Sequence, residues 1–346
     1  MKKLAYSVIG IGGVLTLLII AQNILIPFVY GIVLWFLGRY FKKVLYKIPL
    51  LQKRVPHWVI STFVFGIIFM GVSLISRLVA DNISSLLANG EIYKANLNKV
   101  LNQINTTFQI DLGQEISKSL KGFDYTTILG NIADTLSGAL GNMVMIILYA
   151  VFLFSEEISL SEKIKKLFDS EKRYAKVSTM LSHINDTTSD YIRLKTYLSL
   201  LTGLVGYVFL LIMGVDGAFF WAFLMFALNY IPTIGSLIAT LFPAFFSLVQ
   251  YGEVKPCIII LVGLGLAEWF IGNVLEPRLM GKSLNLSPLV TILALVVWGQ
   301  IWGITGMLLS TPITVVMLII FSQFKSTRSI AILLSENGDI DEVYNS

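Results

Sequence analysis

Two long stretches of the chain carry no charged residue, and each is interrupted near its middle. Residues 217–249 read GAFFWAFLMFALNYIPTIGSLIATLFPAFFSLV, and residues 286–322 read LSPLVTILALVVWGQIWGITGMLLSTPITVVMLIIFS. A straight helix of the first length would extend about 50 Å, against a bilayer core of ~30 Å. Neither stretch can be one simple span. The first breaks at Asn229-Tyr230-Ile231-Pro232-Thr233-Ile234-Gly235, the second around Trp298-Gly299-Gln300-Ile301-Trp302-Gly303. Each is expected to be two helical pieces joined deep in or across a membrane. Irregular backbone persists at that depth only where protein or a water-filled cavity satisfies its polar groups. A solute pathway is built that way, so the feature points to transport.

Composition agrees with a membrane protein: 55% of residues are hydrophobic, 14% are charged, and mean hydropathy is +0.77. The expected fold is all-α and polytopic, with about eight membrane segments. Apolar spans lie at 4–21, 24–38, 58–76, 139–154, 197–215 and 257–275, beside the two broken hairpins. A cleaved signal peptide is the rival reading of the start. Ile19-Ile20-Ala21 lacks the small residue expected at minus three, however, and a second apolar span follows at once.

Orientation follows from the basic residues. Loop 39–57 holds Arg39, Lys42, Lys43, Lys47, Lys53 and Arg54 with no acid, which makes it cytoplasmic by the positive-inside rule. Counting spans from there puts both termini in the cytoplasm and makes the two hairpins enter from opposite faces. The organisation is then N-terminal membrane helices (1–80), an extracytoplasmic helical region (81–138), a membrane helix (139–155), cytoplasmic amphipathic helices (156–196), a transport core (197–325) and a cytoplasmic tail (326–346). The net charge of +5 needs no nucleic acid, because basic residues beside spans meet anionic lipid headgroups. A single cysteine, Cys257, excludes an internal disulfide framework.

In the 81–138 region, Ile83, Leu86, Leu87, Leu97, Val100, Leu101 and Ile104 recur at helical spacing. Two roles stand for it: a scaffold or oligomer contact, and a gate over the pathway. The 156–196 region mixes eight bases with seven acids, the pattern of a solvated helical face. Lys195, next to a span, is a candidate anchor at the headgroups.

Within the spans, Glu268 is the only acid well inside. An ionised carboxylate there costs ~2.5–3.5 kcal/mol, so it should face a cavity or a partner. Ion coordination, proton coupling, a hydrogen bond to a polar solute and a structural ion pair all remain open. Helical spacing puts Glu268, Gly272 and Glu276 on one face. At the first break, Pro232 removes a donor and Gly235 tolerates unusual backbone or a close approach. Asn229, Pro232 and Gly235 therefore either bind a solute through freed backbone groups or form a packed kink. Pro277 is expected to end its helix near Glu276, leaving Arg278 to turn toward the pathway or toward lipid phosphates.

Catalysis finds no footing. The two histidines, His57 and His183, lie outside the spans, and the sequence offers no Cys/His cluster, metal-ligand spacing or phosphate-binding glycine loop. No enzyme, cofactor or metal is expected.

Asn229-Tyr230-Ile231-Pro232-Thr233-Ile234-Gly235 resembles an element of the autoinducer-2 exporter family, also called PerM-like permeases. The run from Gly272-Asn273-Val274-Leu275-Glu276-Pro277-Arg278 to Ser287-Pro288-Leu289 is similar to the family's second signature. Trp298-Gly299 and Gly303-Ile304-Thr305-Gly306 through Pro312 follow it. The resemblance implies a multi-pass secondary transporter forming homo-oligomers, plausibly pentamers, with an elevator-like moving part. It implies export of a small polar solute such as the quorum signal autoinducer-2, with sodium or lithium/proton antiport in some members. Asn229, Pro232, Gly235, Glu268, Asn273, Glu276, Pro277 and Arg278 become the candidate pathway residues. Many members carry an acid directly before the Asn-Val-Leu element, whereas Ile271 and Gly272 stand here, with Glu268 one turn earlier.

Overall fold

The computed structural model describes residues 2–45, 57–108, 130, 142–168, 170–280 and 285–340. All regular structure among them is helical, as the periodicity predicts. Loop residues 46–56, half of the 81–138 region (109–129 and 131–138) and residues 281–284 of the second signature lie outside the described residues.

Helix α1 is Lys2–Ile20, α2 Gln22–Leu45, α3 His57–Ala88, α4 Gly90–Phe108, α5 Met143–Leu167 and α6 Glu171–Ile212. The first hairpin is α7 (Ala218–Leu228) and α8 (Ile234–Tyr251). Helix α9 (Val254–Phe270) passes through a π-helical turn, Ile271–Leu275, into α10 (Glu276–Met280). Helix α11 is Pro288–Ser322 and α12 is Arg328–Leu334. Six of the described helices are long and apolar enough to cross a membrane: Gln22–Lys42, Gly66–Ala88, Glu171–Ile212, Ile234–Tyr251, Val254–Met280 and Pro288–Ser322.

Helices continue through several expected boundaries. The span expected at 58–76 runs on to Ala88, and α6 unites the charged stretch with the span at 197–215. At ~1.5 Å per residue, the 42 residues of α6 extend about 63 Å, twice the bilayer core. Its mean composition is mixed because its first half is charged and its second half apolar. Lys195, at the junction, is only 4% exposed. The headgroup-anchor expectation is thereby corrected: a snorkelling lysine leaves its ammonium in water, and this one is enclosed by protein.

The chain divides into two compact units. The first comprises 1–67, 142–195 and 280–346, and the second 68–141 and 196–279. Each contains one of the broken hairpins.

In the first unit, α2 lies close against α5. A Cβ on Gly31 would stand 2.8 Å from Tyr149 Cβ and 3.2 Å from the Ile146 carbonyl, so only glycine permits this approach. Arg39 locks the ends of these helices. Its guanidinium pairs with Glu157 at 3.2 Å, donates to Asn185 Oδ1 at 2.7 Å and covers the Trp35 ring at 4.9 Å. The C-terminal segment clips onto the start of α11. Ser287 N–H donates to the Leu334 carbonyl, and the Asn285 side chain donates to the Asp339 carbonyl at 2.6 Å.

The second unit holds a continuous apolar core. Val79, Ile83 and Leu86 of α3, Tyr93 of α4, Phe220, Trp221 and Met225 of α7, Ala239, Ala244 and Phe246 of α8, and Cys257, Ile260 and Leu264 of α9 meet there. Tyr93 and Val100 are buried while Lys94 and Lys99 are exposed, the amphipathic division expected of this region.

Candidate functional site

The tip of the first hairpin begins where helical bonding runs out. Asn229 N–H still bonds to the Met225 carbonyl at 3.0 Å, and the Ile231 N–H then tightens onto Leu228 at 2.8 Å. Pro232 has no N–H to continue the ladder. Thr233 follows at φ 60, ψ −56, a conformation that costs a β-branched residue on the order of 1–3 kcal/mol and persists only where the surroundings impose it. Helix α8 restarts at Ile234 with no side-chain cap; the Ile234 and Gly235 N–H groups bond instead to the Pro232 and Ile231 carbonyls, at 2.6 and 3.3 Å.

Gly235 makes the turn possible. A Cβ there would lie 1.9 Å from the Leu228 carbonyl oxygen and 2.8 Å from its carbon. No other residue fits without moving the backbone. The expectation of a close approach at Gly235 holds.

Two hydrogen bonds pin this tip to α6. Asn229 Nδ2 donates to Ser199 Oγ at 3.2 Å, and the Tyr230 hydroxyl to Thr196 Oγ1 at 2.7 Å. Asn229 and Ser199 are buried. Thr202, the next position after Ser199 on the same i, i+3 row, buries a hydroxyl that has no hydrogen-bond partner among the described residues. Below it, glycine lets α6 and α7 touch: a Cβ on Gly203 would be 3.0 Å from Phe226 Cβ. Sequence reading passed over Thr196, Ser199 and Thr202, because a hydroxyl inside an apolar span is common and carries no motif. Their i, i+3, i+6 spacing was the available signal.

Helix α9 follows α8 after a two-residue connection and packs beside it. Glu268 stands fourteen residues beyond Val254, a rise of ~21 Å, and the same count back from Tyr251 reaches Leu237. Glu268 is therefore level with the first turn of α8, and the π turn is level with the tip. Glu268 is 7% exposed and extends the buried row Cys257, Ile260, Leu264. The expectation of one face for Glu268, Gly272 and Glu276 is corrected, since Gly272 is exposed and a Cβ on it would touch nothing within 4 Å. A π turn inserts extra arc and rotates everything after it.

The Pro277 expectation is corrected as well. The helix does not stop near Glu276 but continues to Met280, with Glu276 itself at φ −58, ψ −51. Proline in an α-helix clashes with the carbonyl four residues before it. Here the preceding turn is widened, with the Glu276 N–H bonding to Ile271, five residues back. Pro277 can supply no N–H to the Gly272 or Asn273 carbonyl. The exposed Asn273 turns its amide back to the Trp269 carbonyl at 3.1 Å. Glu276 is partly exposed and Arg278 exposed.

The second hairpin repeats the device in the first unit. Within α11 only Trp302 (φ −127, ψ 17) and Gly303 (φ 60, ψ −141) leave helical conformation, inside the expected break. A Cβ on Gly306 would meet the Trp298 carbonyl oxygen at 1.8 Å. Eight residues of straight helix would separate these positions by about 12 Å, so the chain doubles back. Trp302 Nε1 donates to the Leu18 carbonyl at 3.0 Å, and Tyr30 reaches Thr305 at 3.4 Å. Pro312 lies within the helix without interrupting it.

Among the described residues no group of His, Cys, Asp and Glu could hold a metal ion. The arrangement offers carboxamide, hydroxyl and backbone groups at uncharged tips, which is chemistry for holding a polar molecule.

The family model for AI-2E family transporters matches residues 7–326. The AI-2 transport protein TqsA of Escherichia coli K12 is 31% identical over 296 residues, covering 83% of this chain and 85% of that protein. A protein of Haemophilus influenzae, whose name states transport without a solute, is 28% identical over 346 residues, covering 97% of both. YhhT of E. coli K12, likewise named for transport alone, is 36% identical over 200 residues, 58% of this chain and 56% of that one. The match spans both broken hairpins and nearly the whole chain, which therefore belongs to the AI-2E transporter family and is a multi-pass membrane transporter.

Proposed function

We propose that the protein is a secondary exporter of a small, neutral, polar metabolite, with autoinducer-2 as the first solute to try. The tip at 229–235 carries this reading. It combines an uncharged surface, a strained Thr233 and a buried carboxamide oriented by Ser199. Hydroxyl and carboxamide groups suit a solute rich in hydroxyls. The E. coli relative named for AI-2 transport supports the choice of solute.

Under this reading the protein sits in the plasma membrane as a homo-oligomer, plausibly a pentamer, surrounded by lipid. Both termini and the basic loop 39–57 face the cytoplasm. The candidate pathway is Asn229, Pro232 and Gly235 at the tip, with Glu268, Asn273, Glu276, Pro277 and Arg278 on the neighbouring helix. Inside-out vesicles should accumulate labelled autoinducer-2, and alanine at Asn229 or Asn273 should abolish this without loss of folded protein. Accumulation equal to that of empty vesicles across a panel of polar metabolites would reject the proposal.

A further inference from the structure

Helix α4 is tied to the first hairpin at the end opposite its tip. Asp216, just before α7, and Gln250, near the end of α8, are the centre of the junction. Gln250 Oε1 accepts the Asp216 N–H at 2.8 Å, and Gln250 Nε2 donates to the Gly214 carbonyl at 2.9 Å. The Tyr251 hydroxyl donates to the Met213 carbonyl at 2.6 Å, and Trp221 Nε1 to the Asp216 carbonyl at 3.1 Å. These bonds close the two legs of the hairpin onto each other.

Helix α4 joins the same junction from a distant part of the sequence. The Tyr93 hydroxyl donates to Asp216 Oδ2 at 2.7 Å, and Asn96 Nδ2 to the Gln250 carbonyl at 2.7 Å. The Tyr93 ring is 2% exposed and meets Phe246 edge-on at 5.2 Å. Leu86, at the end of α3, closes the apolar side, since a Cβ on Gly217 would come within 2.9 Å of it. A gate must part from what it covers at little cost. This helix is held by a charge-assisted bond, a carboxamide bond and a buried aromatic ring.

We propose that α4 and the first hairpin form one rigid body that stays intact through the transport cycle. Asp216 and Gln250 are its positioning residues, and α4 is not a gate. The part concerning transport rests on the exporter reading above; the rigid junction itself does not.

A cross-link tests it. A Cβ on Gly252 would lie 3.4 Å from Asn96 Cβ, at the short edge of the ~3.5–4.5 Å that disulfides span. In a Cys257→Ala background, Asn96→Cys with Gly252→Cys should oxidise almost completely. Oxidised protein should export autoinducer-2 within about twofold of the reduced protein. A fall of more than tenfold that reductant restores would make α4 a gate and overturn the proposal, as would a folded double variant that forms no disulfide.

Gly252 has φ 64, so a second variant keeps the test open if that pair misfolds. The hydrogen bonds that Gln250→Ala removes run to Asp216 and Gly214, not to α4. The substitution should nonetheless speed amide exchange in 90–108 about tenfold, together with 213–217. Unchanged exchange in 90–108 would overturn the rigid junction. Disulfide yield and exchange need no solute, so a wild type that moves neither autoinducer-2 nor any other polar metabolite of the panel would reject the exporter reading while these arms still decide the junction.

Discussion

Gly235→Ala is the substitution for which the structure predicts the sharpest loss. The added methyl group would lie 1.9 Å from the Leu228 carbonyl oxygen, where ordinary contact begins at 3.4 Å. The two segments of the tip must separate by about 1.5 Å, the difference between those distances. The obstacle is backbone, so no rotamer change relieves it. Overpacking costs ~1–3 kcal/mol, and a rigid obstacle puts this case at the upper end. About 3 kcal/mol corresponds to roughly a hundredfold fall in the population of the native tip. Gly265→Ala in α9 is the control, because a Cβ there would meet nothing within 4 Å; alanine should stabilise that helix by about 0.5–1 kcal/mol. Export into inside-out vesicles and thermal inactivation in detergent should both be measured at matched protein. Full export and unchanged thermal stability for Gly235→Ala would refute the argument that the tip requires this close approach.

Three further outcomes follow from other contacts. Ser199→Ala should reduce export and thermal stability, and its effect on stability should shrink in an Asn229→Ala background, since Ser199 is hydrogen-bonded to that carboxamide; a double-mutant cycle on stability should give a coupling of about 0.5–1.5 kcal/mol. Arg278→Lys should impair export if the planar guanidinium organises the pathway, whereas near-normal export at equal expression would assign Arg278 to headgroup anchoring. Burial pushes the His183 imidazole, in the charged half of α6, below its usual range despite the pull of Asp186. The unfolded chain then binds more protons just below pH ~6.5, so stability should rise with pH through that window, and His183→Gln should flatten the rise in thermal stability between about pH 5 and 7.

Both hairpin tips were legible in the sequence because their causes are local. Asn229, Pro232 and Gly235 interrupt the first uncharged run, and Trp302-Gly303 the second, and the chain turns there. At Pro277 the same local rule misled. The π turn at Ile271–Leu275 absorbs the proline, and nothing in one turn of sequence announces that accommodation. Lys195 reads as a surface anchor beside a span, yet it is buried. The contacts that fix the sites are remote in sequence. Ser199 precedes Asn229 by 30 residues, and Tyr93 precedes Asp216 by 123. A serine in an apolar helix and a tyrosine on an amphipathic one look ordinary until the fold brings their partners to them.

Reconstitution of the purified protein is the most direct measurement of the central claim. Proteoliposomes preloaded with labelled autoinducer-2 should release it faster than protein-free liposomes, and Asn229→Ala protein should fall back to the protein-free rate. Release that matches protein-free liposomes for this solute and for other small polar metabolites, with the protein shown to be folded and inserted, would contradict the account.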